Sequence, residues 1–217
     1  MEQPMTGQQP ESADAQPDKE TYTLRQFLGD AMDLIESVVT SIFVVMIVFT
    51  FIFCTANVDG DSMVPTLEDG DRLVVSRFDK TYETGDILIL DSIQSYMFDE
   101  SGTLYASEGL GKNIVKRLIA QGGQEVNINF AEGVVYVDGQ ALDEPYTSSP
   151  TDRDNYAFTY PFTVPEGYVF VLGDNRCISK DSRHPDVGLV PEKDIIGNVL
   201  FRISPLSKFG KIKDGRS

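Results

Sequence analysis

The residues best suited to covalent chemistry fall in three clusters. The first, Gly60-Asp61-Ser62-Met63-Val64-Pro65-Thr66-Leu67, is a small polar turn carrying a serine. By itself that pattern is an ordinary loop. A serine hydroxyl becomes a nucleophile only when a base takes its proton, and histidine is the usual base. The only histidine, His184, lies on a Pro-flanked stretch, and a lone histidine so placed is more often incidental than catalytic. Lysine is the alternative. Lys116 lies in the apolar segment NIVKRLIA, where burial would disfavour its ammonium and lower a pKa that starts near ~10.4. At pH 7.4 an unperturbed lysine is about one part in a thousand neutral, and a fall of about three units, equivalent to ~4 kcal/mol, would make it a competent base. Strand context alone leaves open that Lys116-Arg117 includes one solvent-facing cation.

The third cluster is Gly173-Asp174-Asn175-Arg176, followed by Ser179, Asp181, Ser182 and Arg183. It reads equally as a polar surface turn with an ion pair or as a hydrogen-bonded brace that holds a site rigid. Cys54 lies within an apolar run and Cys177 far beyond it, so no disulfide framework is implied.

These clusters need elements to position them. From Val38 to Ala56 the segment VVTSIFVVMIVFTFIFCTA holds no charge over 19 residues, enough at about 1.5 Å per residue to span a ~30 Å hydrocarbon layer. It reads as a transmembrane helix. A secretory leader is the alternative, but its apolar core is only about 7–15 residues and follows a basic segment, whereas here 37 residues with only Lys19 and Arg25 as cations come first. Thr23 and Gln26 resemble a capping box, so the helix is predicted over residues 21–56, with the anchor at about 38–56. Residues 1–20 are polar and Pro-containing, hence a disordered tail. Flanking Lys and Arg leave topology open.

Beyond Ala56 the texture becomes short β-branched runs, RLVVSRF, DILILD, NIVKRLIA and EVNINF, joined by YVFVLGD and IIGNVLFRI. Such runs predict a mainly β domain over residues 57–205. GVVYVDGQAL predicts a hairpin turning at Asp138-Gly139. Residues 92–112 and 140–165 are rich in Ser, Gly, Asp and Pro and are predicted to be long loops, and 206–217 a polar tail. Ser62 stands only six residues past the apolar run, and six extended residues reach at most about 20 Å. Its hydroxyl is therefore expected near a membrane surface.

The 217 residues suit one domain plus extra segments. Asp and Glu outnumber Lys and Arg by 34 to 18, a net charge of −16. That charge repels phosphate backbones and anionic lipid surfaces, so nucleic acid is not an expected partner.

Together, GDSMVPTLEDGD, VKRLIA and GDNRCISKDSR behind an apolar run resemble the motifs of type I signal peptidases, membrane-bound Ser-Lys proteases, over the span from the membrane helix to about Pro205. The resemblance implies a β-barrel or sandwich catalytic domain with one N-terminal transmembrane helix. It implies Ser62 as nucleophile and Lys116 as base, with no metal or cofactor. Ser179 matches the family's lysine-orienting hydroxyl, Asp181 and Arg183 its supporting ion pair, and Asp174 and Arg176 are expected in the same brace. The Ser62 N–H would donate to the oxyanion, and Gly60, Met63 and Val115 are expected at the edge of a pocket for an extended substrate strand. The implied partners are preproteins bearing signal peptides and the lipid bilayer, with the N-terminus cytoplasmic and the catalytic domain outside.

Three positions depart from the family pattern. Gly60 stands where some members carry a serine hydroxyl for the oxyanion, Ala120-Gln121-Gly122-Gly123 replaces Gly-x-Pro-Gly, and Cys177-Ile178 replaces an Asp-Asn pair. Competing readings are a sortase-like transpeptidase using Cys177, His184 and Arg183, although no TLxTC stretch surrounds Cys177, a non-enzymatic β domain held at the membrane, and a soluble self-cleaving Ser-Lys peptidase.

Overall fold

A computed structural model describes residues 23–78 and 80–212. The chain forms two compact units, Met1–Met46 and Ile47–Ser217. Helix α1 (Leu24–Ile52) begins as its sequence directs. The Thr23 N–H and hydroxyl both donate to Gln26 Oε1, at 2.9 and 2.7 Å, and the Gln26 N–H donates back to Thr23 Oγ1 at 3.4 Å. This reciprocal cap satisfies donors that the first turn leaves unpaired. The length and apolarity of α1 suit a membrane crossing. The expected tail 1–20 lies outside the described residues.

The helix ends earlier than its composition predicts. The last four residues of the apolar run, 53–56, fall in strand β1 (Phe53–Asn57), which pairs antiparallel with β2 (Arg72–Ser76). Apolarity alone cannot separate a membrane turn from a strand packed in a core, and here Cys54 and Ala56 pack against Val58, Leu73 and Val75.

The remaining strands are β3 (Ile87–Asp91), β4 (Gln94–Phe98), β5 (Leu104–Glu108), β6 (Asn113–Gln121), β7 (Glu125–Asn129), β8 (Val134–Val137), β9 (Gln140–Ala141), β10 (Phe162–Thr163), β11 (Tyr168–Leu172), β12 (Val190–Pro191), β13 (Ile195–Ser204) and β14 (Gly210–Lys211). The main sheet runs β1-β2-β13-β3-β6-β11-β12, with β14 also on β13. A second sheet runs β10-β7-β8-β9. The fold is mainly β, as expected.

The ILIL run of β3 explains the layering. Ile87 and Ile89 join a cluster with Met63, Leu67 and Leu73, while Leu88 and Leu90 join one with Ile114, Leu118 and Val171. Successive strand side chains leave on opposite faces, so a continuous apolar run means that both faces of this strand are covered. The β8–β9 turn falls at Asp138 and Gly139 as predicted, both with positive φ, 50° and 74°, the geometry that two-residue hairpin turns require.

Three expectations are corrected. Residues 92–112 form the β4–β5 hairpin, because Asp99 Oδ1 accepts the Ser101 and Thr103 N–H groups and organises the turn. Within 140–165, β9 and β10 add to the second sheet. Residues 206–212 fold back as a 3-10 turn, Leu206–Lys208, and β14, which buries Ile212 beside Val58.

Candidate active site

The Ser62 turn is fixed from its apolar side. Met63 and Leu67 are 1% and 0% exposed, and the Leu67 N–H donates to the Met63 carbonyl at 2.9 Å. On the polar side the Gly60 N–H donates to Asp69 Oδ1 at 2.8 Å, Thr66 Oγ1 donates to Asp174 Oδ2 at 2.5 Å, and the Arg202 guanidinium donates to the Thr66 carbonyl. Gly60 sits at φ 89°, a conformation that favours glycine, although a Cβ there would meet no atom within 4 Å.

Lys116 stands in β6 opposite Leu88 of β3. Both Lys116 and Arg117 are buried, at 4% and 0% exposed, so neither is the solvent-facing cation that the strand context allowed. Opposite faces of one strand can bury two cations only when both are covered and each cation has a partner. Lys116 Nζ lies 2.7 Å from Ser62 Oγ. Burial pushes its pKa down to about 8, helped by the Lys112 and Arg183 charges and opposed by Asp181 and Asp174. At pH 7.4 a group with that pKa is about one-fifth neutral.

Arg117 holds Asp174 in a two-pronged pair, Nε to Oδ1 at 2.8 Å and Nη2 to Oδ2 at 2.6 Å, and its guanidinium carbon lies 3.8 Å from the centre of the Tyr146 ring. Asp181 and Arg183, both 0% exposed, pair at 2.9 Å. Asp181 Oδ2 also accepts the Gly173 N–H at 3.0 Å. Burial would raise the Asp181 carboxyl, but the hydrogen bond and charge of Arg183 and the Gly173 N–H hold it below the ordinary range. Arg183 further donates to the Arg176 carbonyl at 2.9 Å.

Asp174 and Arg176, expected in the brace of Asp181 and Arg183, each take a further charged partner, and Arg176 joins Arg183 through its carbonyl. Asp174 belongs to Arg117. Arg176 grips Glu144 through Nη2–Oε1 at 2.5 Å and Nη1–Oε2 at 3.0 Å, and donates to Thr151 Oγ1 at 2.5 Å and the Gly173 carbonyl at 3.0 Å. The segment between β9 and β10 is thereby tied to the Gly173 turn. Sequence reasoning missed Arg117, Glu144 and Thr151. The one available signal was charge inside predicted strand and loop segments, which names no partner.

Ser179 does not orient Lys116 by a hydrogen bond. Its Oγ is buried with no hydrogen-bond partner among the described residues and packs against Gly173, where a Cβ would lie 2.1 Å from it and 2.5 Å from the Ser62 carbonyl oxygen. The sortase-like set is not assembled, since Cys177 Sγ contacts Ser149 Oγ at 3.2 Å and His184 Nδ1 accepts the Asp186 N–H at 3.1 Å.

Ser62 and Lys116 open onto a cleft of about 440 Å³ bordered by Gly60, Met63, Val115 and Ile178. The three expected edge residues all lie on it. Such a cleft beside a hydroxyl and a partly neutral amine can hold an extended peptide and transfer its acyl group.

A profile of the family described as "Signal peptidase, peptidase S26" matches residues 31–204. "Probable signal peptidase I-1" of Synechocystis is 39% identical over 161 residues, 71% of this chain and 73% of that protein. "Signal peptidase I" of Bacillus licheniformis is 31% identical over 186 residues, 82% of this chain and 90% of that protein. A crystal structure of a signal peptidase I from Enterococcus faecalis covers 54% of this chain and 96% of its own, with 29% identity and a TM-score of 0.38. The chain belongs to the signal peptidase family, peptidase S26, and is a serine endopeptidase of that kind.

Proposed function

We propose that Ser62 and Lys116 form the catalytic dyad that removes signal peptides from exported preproteins at a membrane surface. The observation that carries this reading is the 2.7 Å approach of Lys116 Nζ to Ser62 Oγ, made by a buried lysine whose pKa has fallen to about 8. In the neutral form, the Lys116 lone pair takes the Ser62 proton as Oγ bonds to the scissile carbonyl carbon. The resulting oxyanion is met by the Ser62 N–H, which has no acceptor among the described residues. The C–N bond then breaks, the Lys116 ammonium returns the proton to the leaving amine, and an ester on Ser62 remains. A water deprotonated by Lys116 hydrolyses that ester and restores the hydroxyl. Ser179, Asp181, Arg183, Asp174 and Arg176 support the dyad through packing and paired charge.

The substrate lies extended along Gly60, Met63 and Val115, with small side chains next to the cleaved bond. The apolar part of α1 anchors the chain in the bilayer, its N-terminal side is cytoplasmic, and the β domain acts outside, where a signal peptide's cleavage site leaves the hydrocarbon.

The test is cleavage of a purified preprotein with an Ala-x-Ala site by detergent-solubilised wild type, Ser62→Ala and Lys116→Ala. Cleavage after the second Ala by wild type, with both folded variants inactive, is expected. Wild-type rates in Lys116→Ala would require another base, and in Ser62→Ala another nucleophile.

A further inference from the structure

Asn175 sits in the third motif without a role in the dyad or its ion pairs. Its two amides grip both peptide groups that flank the nucleophile's Cα. The backbone N–H donates to the Ser62 carbonyl at 3.0 Å. The side-chain Nδ2 donates to the Asp61 carbonyl at 3.2 Å, which also accepts the Val64 N–H at 3.2 Å.

The second contact matters because of peptide geometry. The Asp61 carbonyl and the Ser62 N–H belong to one peptide group. That group is trans, since the cis bonds among the described residues all precede proline. In a trans peptide the C=O and N–H point in opposite directions across a rigid plane. Whatever fixes the Asp61 carbonyl therefore aims the Ser62 N–H. A hydrogen bond accepted at C=O also polarises the amide and strengthens its N–H as a donor. Among the described residues that N–H has no acceptor, and Ser62 borders the cleft. Gly60, whose N–H is held by Asp69 and which has no side chain, supplies no hydroxyl to share the load.

We infer that Asn175 is a positioning residue for the oxyanion, its side-chain amide orienting and polarising the Asp61–Ser62 peptide whose N–H receives the developing charge. The inference rests on the proposal that Ser62 is the nucleophile. It predicts a contribution realised in the transition state and little in substrate binding.

The test compares wild type, Asn175→Ala, Asn175→Asp and Ser62→Ala as full chains in detergent, using a peptide with an Ala-x-Ala site. The aspartate variant keeps the shape of the side chain but has no N–H to donate. Both Asn175 variants should lose kcat by about ten- to a hundredfold, with KM within about twofold of wild type, and the apparent pKa of the Asn175→Ala rate profile should be unmoved. Inhibition by the matching peptide aldehyde, whose adduct on Ser62 carries a tetrahedral oxygen, should weaken in parallel with kcat. Affinity for intact peptide, measured in the Ser62→Ala background, should not change when Asn175→Ala is added. Wild-type kcat in Asn175→Ala overturns the inference. So does loss in the alanine variant but not in the aspartate variant, loss confined to KM, or a displaced pH profile in Asn175→Ala, which would place the effect on Lys116. Cleavage by Ser62→Ala alone removes the nucleophile assignment and the inference with it, an outcome distinct from all of these.

Discussion

Arg117 and Asp174, 57 residues apart, form a two-pronged ion pair at 2.8 and 2.6 Å with both side chains 0% exposed. The pair joins the strand that carries Lys116 to the turn that holds Ser62, because Asp174 Oδ2 also accepts the Thr66 hydroxyl. Removing one partner leaves the other charge buried and unpaired. Arg117→Met should therefore destabilise the fold by about 3–5 kcal/mol, whereas adding Asp174→Leu to it should recover a good part of that loss. Urea midpoints of the single and double variants check the prediction, and a double variant no more stable than the single one contradicts it.

The pH dependence of cleavage should follow Lys116. Its folded pKa of about 8 means that the proposed base is protonated and idle at low pH, so kcat/KM should rise with pH through a limb near pH 8. Lys112 pushes that pKa down and Asp181 pushes it up. Lys112→Gln should therefore move the limb to higher pH and Asp181→Asn to lower pH, by amounts smaller than the shift caused by burial. Rate profiles from pH 6 to 10 decide, and movement of both variants in one direction would disagree with the charge arrangement.

Stability should carry the same signature with its own sign. Lys116 in the folded chain releases its proton near pH 8, while in the unfolded chain it holds it up to about 10.5. Between those values the unfolded state binds more protons, so this lysine's contribution to stability rises with pH there. Below pH 8 folding buries an ammonium at a cost of about 3 kcal/mol. Lys116→Met should raise the thermal midpoint at pH 7, and the gain should shrink as pH rises through 8 towards 10.5. A gain independent of pH would mean that the lysine is not desolvated.

Gly173→Ala should damage catalysis more than folding. Its Cβ would lie 2.1 Å from Ser179 Oγ and 2.5 Å from the Ser62 carbonyl oxygen, so the backbone of Ser62, the proposed nucleophile, must shift. Overpacking of this kind costs about 1–3 kcal/mol of stability, and a displacement of about 1 Å at a reacting centre costs about a hundredfold in rate. Parallel urea and kcat measurements separate the two effects.

The sequence by itself brought out the candidate dyad and much of the architecture. Ser62 and Lys116 stood out through their motifs, the capped start of α1 through Thr23 and Gln26, strand β3 through DILILD, and the β8–β9 turn through Asp138-Gly139. Each is a local property, set by propensity, periodicity or a residue type that one conformation demands. The tertiary structure alone decided which side of a strand is solvent and which charge meets which. It ended the helix at Ile52 and gave Phe53–Asn57 to the sheet, because strand pairing with Arg72–Ser76 outweighs a run of apolar residues that suits either state. It paired Arg117 with Asp174 and Arg176 with Glu144, and set the Ser179 hydroxyl beside Gly173. Partners 57 and 32 positions apart leave no mark in local pattern, since a charge buried in the folded chain has the same neighbours in sequence as one exposed to water.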